Sequence, residues 1–169
     1  MMLKLFKPNL TPKEIIQMGS FGGTYFHPTE RKIDIDVKEF PADWFVGLPT
    51  EFYYSKKYNR KINHFNIKCG QSQEEWEKMG WINPIDPRGW FQWYCRYYEG
   101  RRCEDDDRQI RRWLNFTGPN GRWRNYIYSQ IDKKGGDITD ESYSHGARQS
   151  LLHWGYVVNQ KDYDIWKNK

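Results

Sequence analysis

The stretch DPRGWFQWYCRYYEGRRC, residues 86–103, carries six aromatic side chains and four arginines in a single short run. One set of aromatic residues has the i, i+3, i+4, i+7 spacing of a helical face: Trp90, Trp93, Tyr94 and Tyr97. A second stripe lies beside it: Phe91, Cys95 and Tyr98. Only Gln92, Arg96 and Glu99 are then left for solvent. Because a helix that is apolar on most sides is normally buried, the sequence predicts a core helix with the first set in the interior.

The segments around this helix predict further short elements. TPKEIIQMG (11–19) has a capping box at its start and a glycine at its end. CEDDDRQIRRWLNFTG (103–118) begins with acids and carries arginines later, an order that suits the helix macrodipole. GRWRNYIYSQI (121–131) and SHGARQSLLHWG (144–155) predict two more helices. In contrast, KIDIDVKEF (32–40) alternates apolar and charged residues and predicts a half-buried strand, paired as a hairpin or ribbon with TYF (24–26).

These elements predict a mainly α protein, a compact cluster of short helices with an aromatic core and a small β element near the N-terminus. The chain has 169 residues, a length typical of one domain. We therefore expect a single domain over 1–169. It would comprise an irregular, β-containing N-terminal part (1–71), a helical part (72–156) and a short C-terminal tail (157–169).

Composition narrows the class of protein. The mean hydropathy of −1.01 is low, but 18% of the residues are aromatic, and disordered chains are poor in aromatic residues. No apolar run is long enough to span a membrane, and no signal-peptide core is present, which favours an intracellular location, cytoplasmic or nuclear. The spacing of Cys69, Cys95 and Cys103 matches no zinc pattern. We therefore expect neither a metal nor a cofactor, and no membrane partner.

The positive charge is local and consists of arginine. The chain carries a net charge of +5, and residues 88–124 hold nine arginines, five acids and no lysine, a net charge of +4. Arginine offers a planar fork for phosphate and a face for stacking. The sequence therefore predicts a protein of DNA or RNA metabolism that binds nucleic acid through one arginine-rich face, with Trp123 or a tyrosine stacking on a base and the turn TGPNG (117–121) at its rim. The predicted binding residues are Arg88, Arg101, Arg102, Arg111, Arg112, Arg122, Trp123 and Arg124. We expect the arginines of this set other than Arg88 to be mostly exposed.

Other interpretations of the same residues stay open. The arginines could instead pair with the acids of EDDD (104–107) and pack against tryptophans. Cys69 lies shortly before a predicted helix and could be the nucleophile of a small enzyme, with Asp86 and the histidines around its pocket. Asp86 could equally cap the aromatic helix, and His153 could be a partly buried structural residue. A third class is a protein-interaction scaffold whose exposed aromatic residues contact a partner chain.

Several blocks resemble a family of small Trp-rich proteins without an assigned activity: GSFGGTYF (19–26), KCGQSQEEWEKMGWI (68–82), the aromatic helix with its DPRGWFQWYCRYY start, GPNGRWRNYI (118–127) and RQSLLHWGY (148–156). The resemblance covers about residues 11–156. It implies one structural unit and no catalytic residue. Separately, RQIRRWL (108–114) and GRWRNYI (121–127) resemble the Trp-and-Arg helices of Myb-type DNA-binding repeats. Trp113 and Trp123 are ten residues apart, closer than in that repeat.

Overall fold

A computed structural model describes residues 2–28, 35–70 and 73–169, and in these ranges the chain is mainly helical. The α-helices are α1 (Met2–Leu5), α2 (Pro12–Met18), α3 (Gln73–Lys78), α4 (Trp90–Tyr98), α5 (Asp106–Thr117), α6 (Arg122–Lys133), α7 (His145–His153) and α8 (Gln160–Lys167). The irregular N-terminal part contains short 3-10 turns at Phe21–Gly23, Val37–Glu39, Ala42–Trp44, Thr50–Phe52 and Arg60–Ile62. The predicted cluster of short helices is therefore confirmed.

The aromatic helix α4 lies in the core, as its spacing predicts. Trp90, Trp93 and Tyr94 are buried, and Tyr97 is half-buried. Phe6, on the segment after α1, packs against this helix, with its ring centroid 5.7 Å from that of Trp93. The core also includes aromatic side chains from the N-terminal part, so both parts of the chain share one hydrophobic cluster.

One residue of α4 departs from the prediction, since Gln92 is fully buried rather than exposed to solvent. The polar atoms at the start of the helix explain its position. The side-chain Oε1 of Gln92 accepts a hydrogen bond from the backbone N–H of Arg88 at 2.9 Å. The backbone N–H of Gln92 donates to the hydroxyl of Tyr25 at 2.9 Å. The Tyr25 hydroxyl in turn donates to the Arg88 carbonyl at 2.7 Å. Gln92 therefore satisfies backbone groups that would otherwise be buried without partners.

The predicted β element is not found, because the described ranges contain no β-strand and hold a single isolated bridge, Asn83 with Asp86. Residues 29–34 of the predicted hairpin lie outside the described ranges. In the remainder, the Asp36 side chain accepts a hydrogen bond from the Lys38 N–H at 2.9 Å and caps a 3-10 turn. A side chain that bonds its own backbone in this way competes with strand pairing. The apolar residues around it, Ile35 and Phe40, are still buried.

A second hydrophobic cluster joins α6, α7 and the C-terminal residues: Ile127, Tyr128, Ile131, Leu151, Tyr156 and Tyr163. The segment predicted as a tail contains α8, which packs on α6 through Tyr163 and Trp166. Asp162 on α8 accepts a hydrogen bond from the Tyr156 hydroxyl at 2.7 Å and pairs with Arg124 on α6 at 2.8 Å. The inner face of α6 is therefore held by α8, while its outer face remains available.

Helix length also bears on the class of protein. Within the three described ranges, no helix combines the length and the apolar character that crossing a lipid bilayer requires.

Candidate nucleic-acid interface

Two of the predicted binding residues lie in the interior. Arg88 is buried, and its guanidinium donates to the carbonyl of Tyr25 at 2.6 Å and, over longer distances, to those of Thr24 and His27. Arg124 is also buried, between Asp162 and the ring of Tyr156. The expectation that Arg124 would be exposed is therefore wrong. Both guanidinium groups already have internal partners, so a phosphate has no direct access to either of them.

Asp86 holds two further arginines and explains why Arg101 is not free. Its carboxylate is fully buried, and it pairs with Arg101 through both oxygens, at 2.7 and 2.6 Å. It also accepts a hydrogen bond from Arg96 at 2.9 Å. Asp86 therefore does not cap α4, whose N-cap is Gly89. The residue instead neutralises two arginines at the end of that helix.

The acids of EDDD neutralise fewer arginines than the alternative interpretation requires. Asp105 pairs with Arg108 through both oxygens, at 2.6 and 2.9 Å. Asp106 accepts hydrogen bonds from the Trp93 indole and the Cys103 N–H instead. Four of the predicted arginines have no ion pair within the described residues: Arg102, Arg111, Arg112 and Arg122. Arg102, Arg111 and Arg122 are exposed, as predicted, and Arg112 is half-buried.

Arg112 and Arg122 belong to a continuous series of rings and guanidinium groups. In spatial order the series, which we call the ladder, is Trp81, Arg112, Trp154, Phe116, Arg122, Trp123 and Tyr126. Successive members lie between 4.9 Å (Arg122 to Phe116) and 6.1 Å (Trp123 to Tyr126) apart. Arg122 and Tyr126 are exposed, and the other five members are half-buried. Trp154 also packs on Trp90 of the core, with 4.8 Å between the ring centroids, and Trp123 packs against the second cluster. The ladder therefore presents its partly exposed rings together with two arginines.

The charge of Arg112 is poorly compensated within the ladder. Its guanidinium donates to the side chain of Gln109 at 2.9 Å and lies against the rings of Trp81 and Trp154. Burial, together with the neighbouring charge of Arg108, lowers the pKa of Arg112 to about 10, although the carboxylate of Asp105 acts in the opposite direction. A further anion nearby would also raise this pKa. The ladder therefore contains a partly desolvated cation that forms no ion pair among the described residues.

A groove of about 760 Å³ adjoins the end of the ladder. Its lining residues come from α6, from α7 with the residue before it, and from the segment that precedes α3: Arg122, Trp123, Tyr126, Ser144, Gly146, Ala147, Ser150 and Cys69. Arg122 and Tyr126 are exposed, and Trp123 is half-buried. The groove thus brings together two residues from different hypotheses, Trp123 as a stacking residue and Cys69 as a nucleophile.

The surroundings of Cys69 argue against a nucleophile. Burial raises the pKa of its thiol to about 11, and only the hydrogen bond with Ser150 acts in the opposite direction. The nearest histidine is His153, whose Nδ1 lies 3.5 Å from the Cys69 sulfur. His153 is buried, which is consistent with the prediction of a structural histidine.

The hydrogen bonds of His153 determine which of its nitrogens carries the proton. Nε2 accepts from the Phe21 N–H at 3.1 Å and from the Gln149 amide at 3.0 Å. Gln149 is oriented by its other contacts, since its Oε1 accepts from the Phe65 N–H and its Nε2 donates to the Gly19 carbonyl. The proton of the neutral ring therefore lies on Nδ1, which faces Cys69. Since Nδ1 is already protonated, His153 cannot take the proton of the thiol.

The buried position of His153 predicts a dependence of stability on pH. Burial lowers its pKa to about 3 in the folded state, below the usual histidine pKa of 6.5. Between these values the unfolded chain binds the extra proton, so the free energy of unfolding falls as the pH drops below 6.5. The slope for one proton is at most about 1.4 kcal/mol per pH unit. His153→Gln keeps an acceptor and does not titrate, and we expect it to weaken this dependence in urea unfolding at pH 7 and pH 5. If the original protein and His153→Gln lose the same free energy of unfolding between pH 7 and pH 5, the titration of His153 does not cause the dependence.

A second basic segment was missed in the sequence. It carries five exposed cations, Lys56, Lys57, Arg60, Lys61 and Lys68, and residues 52–70 contain no acid. The long stretch without Asp or Glu indicates this basic segment in the sequence, although its cations are mostly lysines rather than the arginines of residues 88–124. The ladder residues Trp81 and Trp154 were also missed. They are far from Arg112 in sequence, and no spacing rule connects them.

No close relative guides the interpretation of these features. Comparisons with protein-family models, with curated proteins and with solved structures find no match. In the described ranges, no group of three or more His, Cys, Asp or Glu side chains could hold a metal ion. The contacts within the ladder and the residues that line the groove are therefore the observations that bear on function.

Proposed function

We propose that this protein binds single-stranded nucleic acid, DNA or RNA, along the ladder. The observation that carries the proposal is the surface alternation of aromatic rings with Arg112 and Arg122, neither of which has an ion pair within the described residues. Proteins that bind single strands combine stacking platforms with cations that follow the backbone. In a duplex the faces of the bases are covered by their neighbours, so a ladder of rings offers most to bases that are unstacked.

The arginines predicted to bind phosphate do not all belong to one face of the protein. Arg122 is exposed and lies over the rings of Phe116 and Trp123, and its guanidinium forms no hydrogen bond or ion pair with the described residues. Arg111 is exposed on α5, the helix that carries Arg112. Arg102 lies at 3.7 Å over the ring of Tyr97, which is not part of the ladder. The proposal therefore assigns the principal phosphate contacts to Arg111, Arg112 and Arg122.

Fluorescence anisotropy with a labelled oligothymidylate of about 15 nucleotides, within the usual site size, tests the proposal. We expect tighter binding of the single strand than of a duplex of the same length, with affinity that falls as salt rises. Arg122→Ala should weaken binding and reduce the salt slope by about 0.7, the value for one phosphate contact on a single strand. Its melting temperature should be nearly unchanged, because the side chain is exposed and has no ion pair in the described part of the chain.

Arg102→Ala is the matched control, since it also removes one exposed, ring-stacked arginine but lies away from the ladder. It should leave the affinity close to that of the original protein. An equal loss in the two variants would show that binding depends on total charge rather than on the ladder. Absence of binding tighter than about 100 μM at low salt, the weak limit of ordinary non-specific affinity, would refute the proposed function.

A further inference from the structure

We infer that the groove beside the ladder seats one unstacked base of the bound strand, and that the basic segment 56–68 contacts the phosphates beyond it. This inference rests on the proposed function and adds a specific place for the strand. The groove and the ladder share Arg122, Trp123 and Tyr126, so a strand lying on the ladder reaches the groove directly.

The size and the lining of the groove suit a nucleobase. Its volume of about 760 Å³ lies within the range of pockets that hold small organic ligands, roughly 300–1,000 Å³. Trp123 and Tyr126 provide aromatic surface on the α6 side, and Ser144 and Ser150 provide hydroxyl groups on the α7 side. Stacking on an aromatic ring tolerates any base, since every base has a π-face. The groove therefore favours a flat, partly polar ring over an aliphatic side chain.

The basic segment is fixed next to this groove by contacts with α7. The Phe65 N–H donates to Gln149 at 3.0 Å, and the ring of Phe65 stacks on that of His145. Lys68 directly precedes Cys69, which lines the groove, and its ammonium group lies 5.4 Å from the ring of the exposed Tyr58. The chain therefore places Lys68 next to the groove, and the other four cations precede it at residues 56–61.

The charge of the segment identifies the class of occupant. Its five cations have no ion pair within the described residues, and His64 of the same segment lies 3.7 Å from Glu141. Such a segment complements a polyanion. An acidic polypeptide is the competing polyanion, but it carries aromatic rings only at scattered positions, whereas a nucleic-acid strand carries a flat ring with every phosphate. The aromatic side of the groove, together with Lys68 beside it, therefore favours a nucleic-acid strand.

Two measurements test the inference with the full chain. In the first, a thiol reagent labels the protein with and without saturating oligothymidylate. Because Cys69 lines the groove, its labelling should slow several-fold when the groove is occupied. Labelling of Cys103, which contacts Asp106 and does not line the groove, should be unaffected.

The second measurement fills the groove. Gly146 lines it and has no positive φ, and a Cβ atom added there meets only Ile67 of the described residues, at the ordinary contact distance of 4.0 Å. Gly146→Phe should therefore fold, as its melting temperature will check, and should weaken oligothymidylate binding by the value of about one stacked base, roughly 5- to 150-fold. Gly146→Ala is the control and should bind like the original protein.

The possible outcomes separate this inference from the proposed function. If the strand binds but Cys69 is not protected and Gly146→Phe binds like Gly146→Ala, the groove is not used, although the ladder still is. If polyglutamate protects Cys69 as well as the oligonucleotide does, the occupant is an acidic polypeptide and the inference is wrong. If no oligonucleotide binds at all, the proposed function fails, and the groove assignment fails with it.

Discussion

Trp93→Ala is expected to lower the free energy of unfolding by about 3–5 kcal/mol, as large-to-small changes of buried aromatic residues do. Trp93 is fully buried, and its ring centroid lies 4.8 Å from that of Tyr97 and 5.7 Å from that of Phe6. Its indole N–H also donates to Asp106 at 2.8 Å, which ties α4 to the start of α5. Alanine would leave both a cavity and an acceptor without its donor. Urea unfolding followed by circular dichroism measures the change.

Tyr98→Ala provides the control for this prediction on the same helix. Tyr98 is half exposed, so its removal should change stability by much less, within about 1 kcal/mol. Similar losses for the two variants would show that the aromatic stripe of α4 does not form the core. Comparing Trp93→Ala with Tyr98→Ala therefore tests which side of α4 lies in the interior and which lies at the surface.

Asp86→Asn is expected to cost about 3–5 kcal/mol, the range found when one partner of a buried ion pair is removed. The Asp86 carboxylate is fully buried and neutralises Arg96 and Arg101. Asparagine has nearly the same shape, so the loss would come from charge and from hydrogen bonds rather than from a cavity. Arg101 would be affected most, because its pairing with both carboxylate oxygens would be reduced to one amide oxygen, with an NH2 group facing its guanidinium. Thermal unfolding at two salt concentrations measures the effect.

The matched control is Asp43→Asn, which breaks the exposed pair between Asp43 and Lys13. Exposed ion pairs contribute about 0–1 kcal/mol, and salt screens them. We therefore expect a small, salt-dependent change for Asp43→Asn and a large one for Asp86→Asn that salt hardly alters. If both variants lose the same free energy of unfolding, the buried ion pairs of Asp86 with Arg96 and Arg101 do not stabilise the fold more than an exposed pair does.

The sequence predicted the helices well because their signals are local. Apolar spacing identified α4, and the capping box of Thr11 with Glu14 is found as predicted, with Thr11 accepting from the Glu14 N–H. The strand prediction failed for a local reason as well. Alternation of apolar residues around Asp36 indicates a strand, but the side chain of Asp36 accepts a hydrogen bond from the Lys38 N–H and caps a turn.

The candidate site was harder to predict, because exposure of an arginine depends on partners that are distant in sequence. Arg122 and Arg124 are two residues apart on α6, on either side of Trp123. Arg122 is exposed, whereas Arg124 turns inward and meets Asp162 on a helix that the sequence did not indicate. The position of Asp86 between two arginines likewise depends on how the chain folds back on itself. Counting charges therefore locates the region but not the individual contacts.

The docking of α8 on α6 has a consequence for the order in which the protein matures. During synthesis α6 leaves the ribosome before α8, so Arg124 emerges without Asp162. Until α8 follows, that guanidinium and the Tyr128–Tyr156 hydroxyl pair have no carboxylate to close their network. The carboxylate that completes the inner side of α6 therefore comes from a later segment of the chain. The network of Arg124, Tyr128, Tyr156 and Asp162 closes only once α6 and α8 have both formed and met.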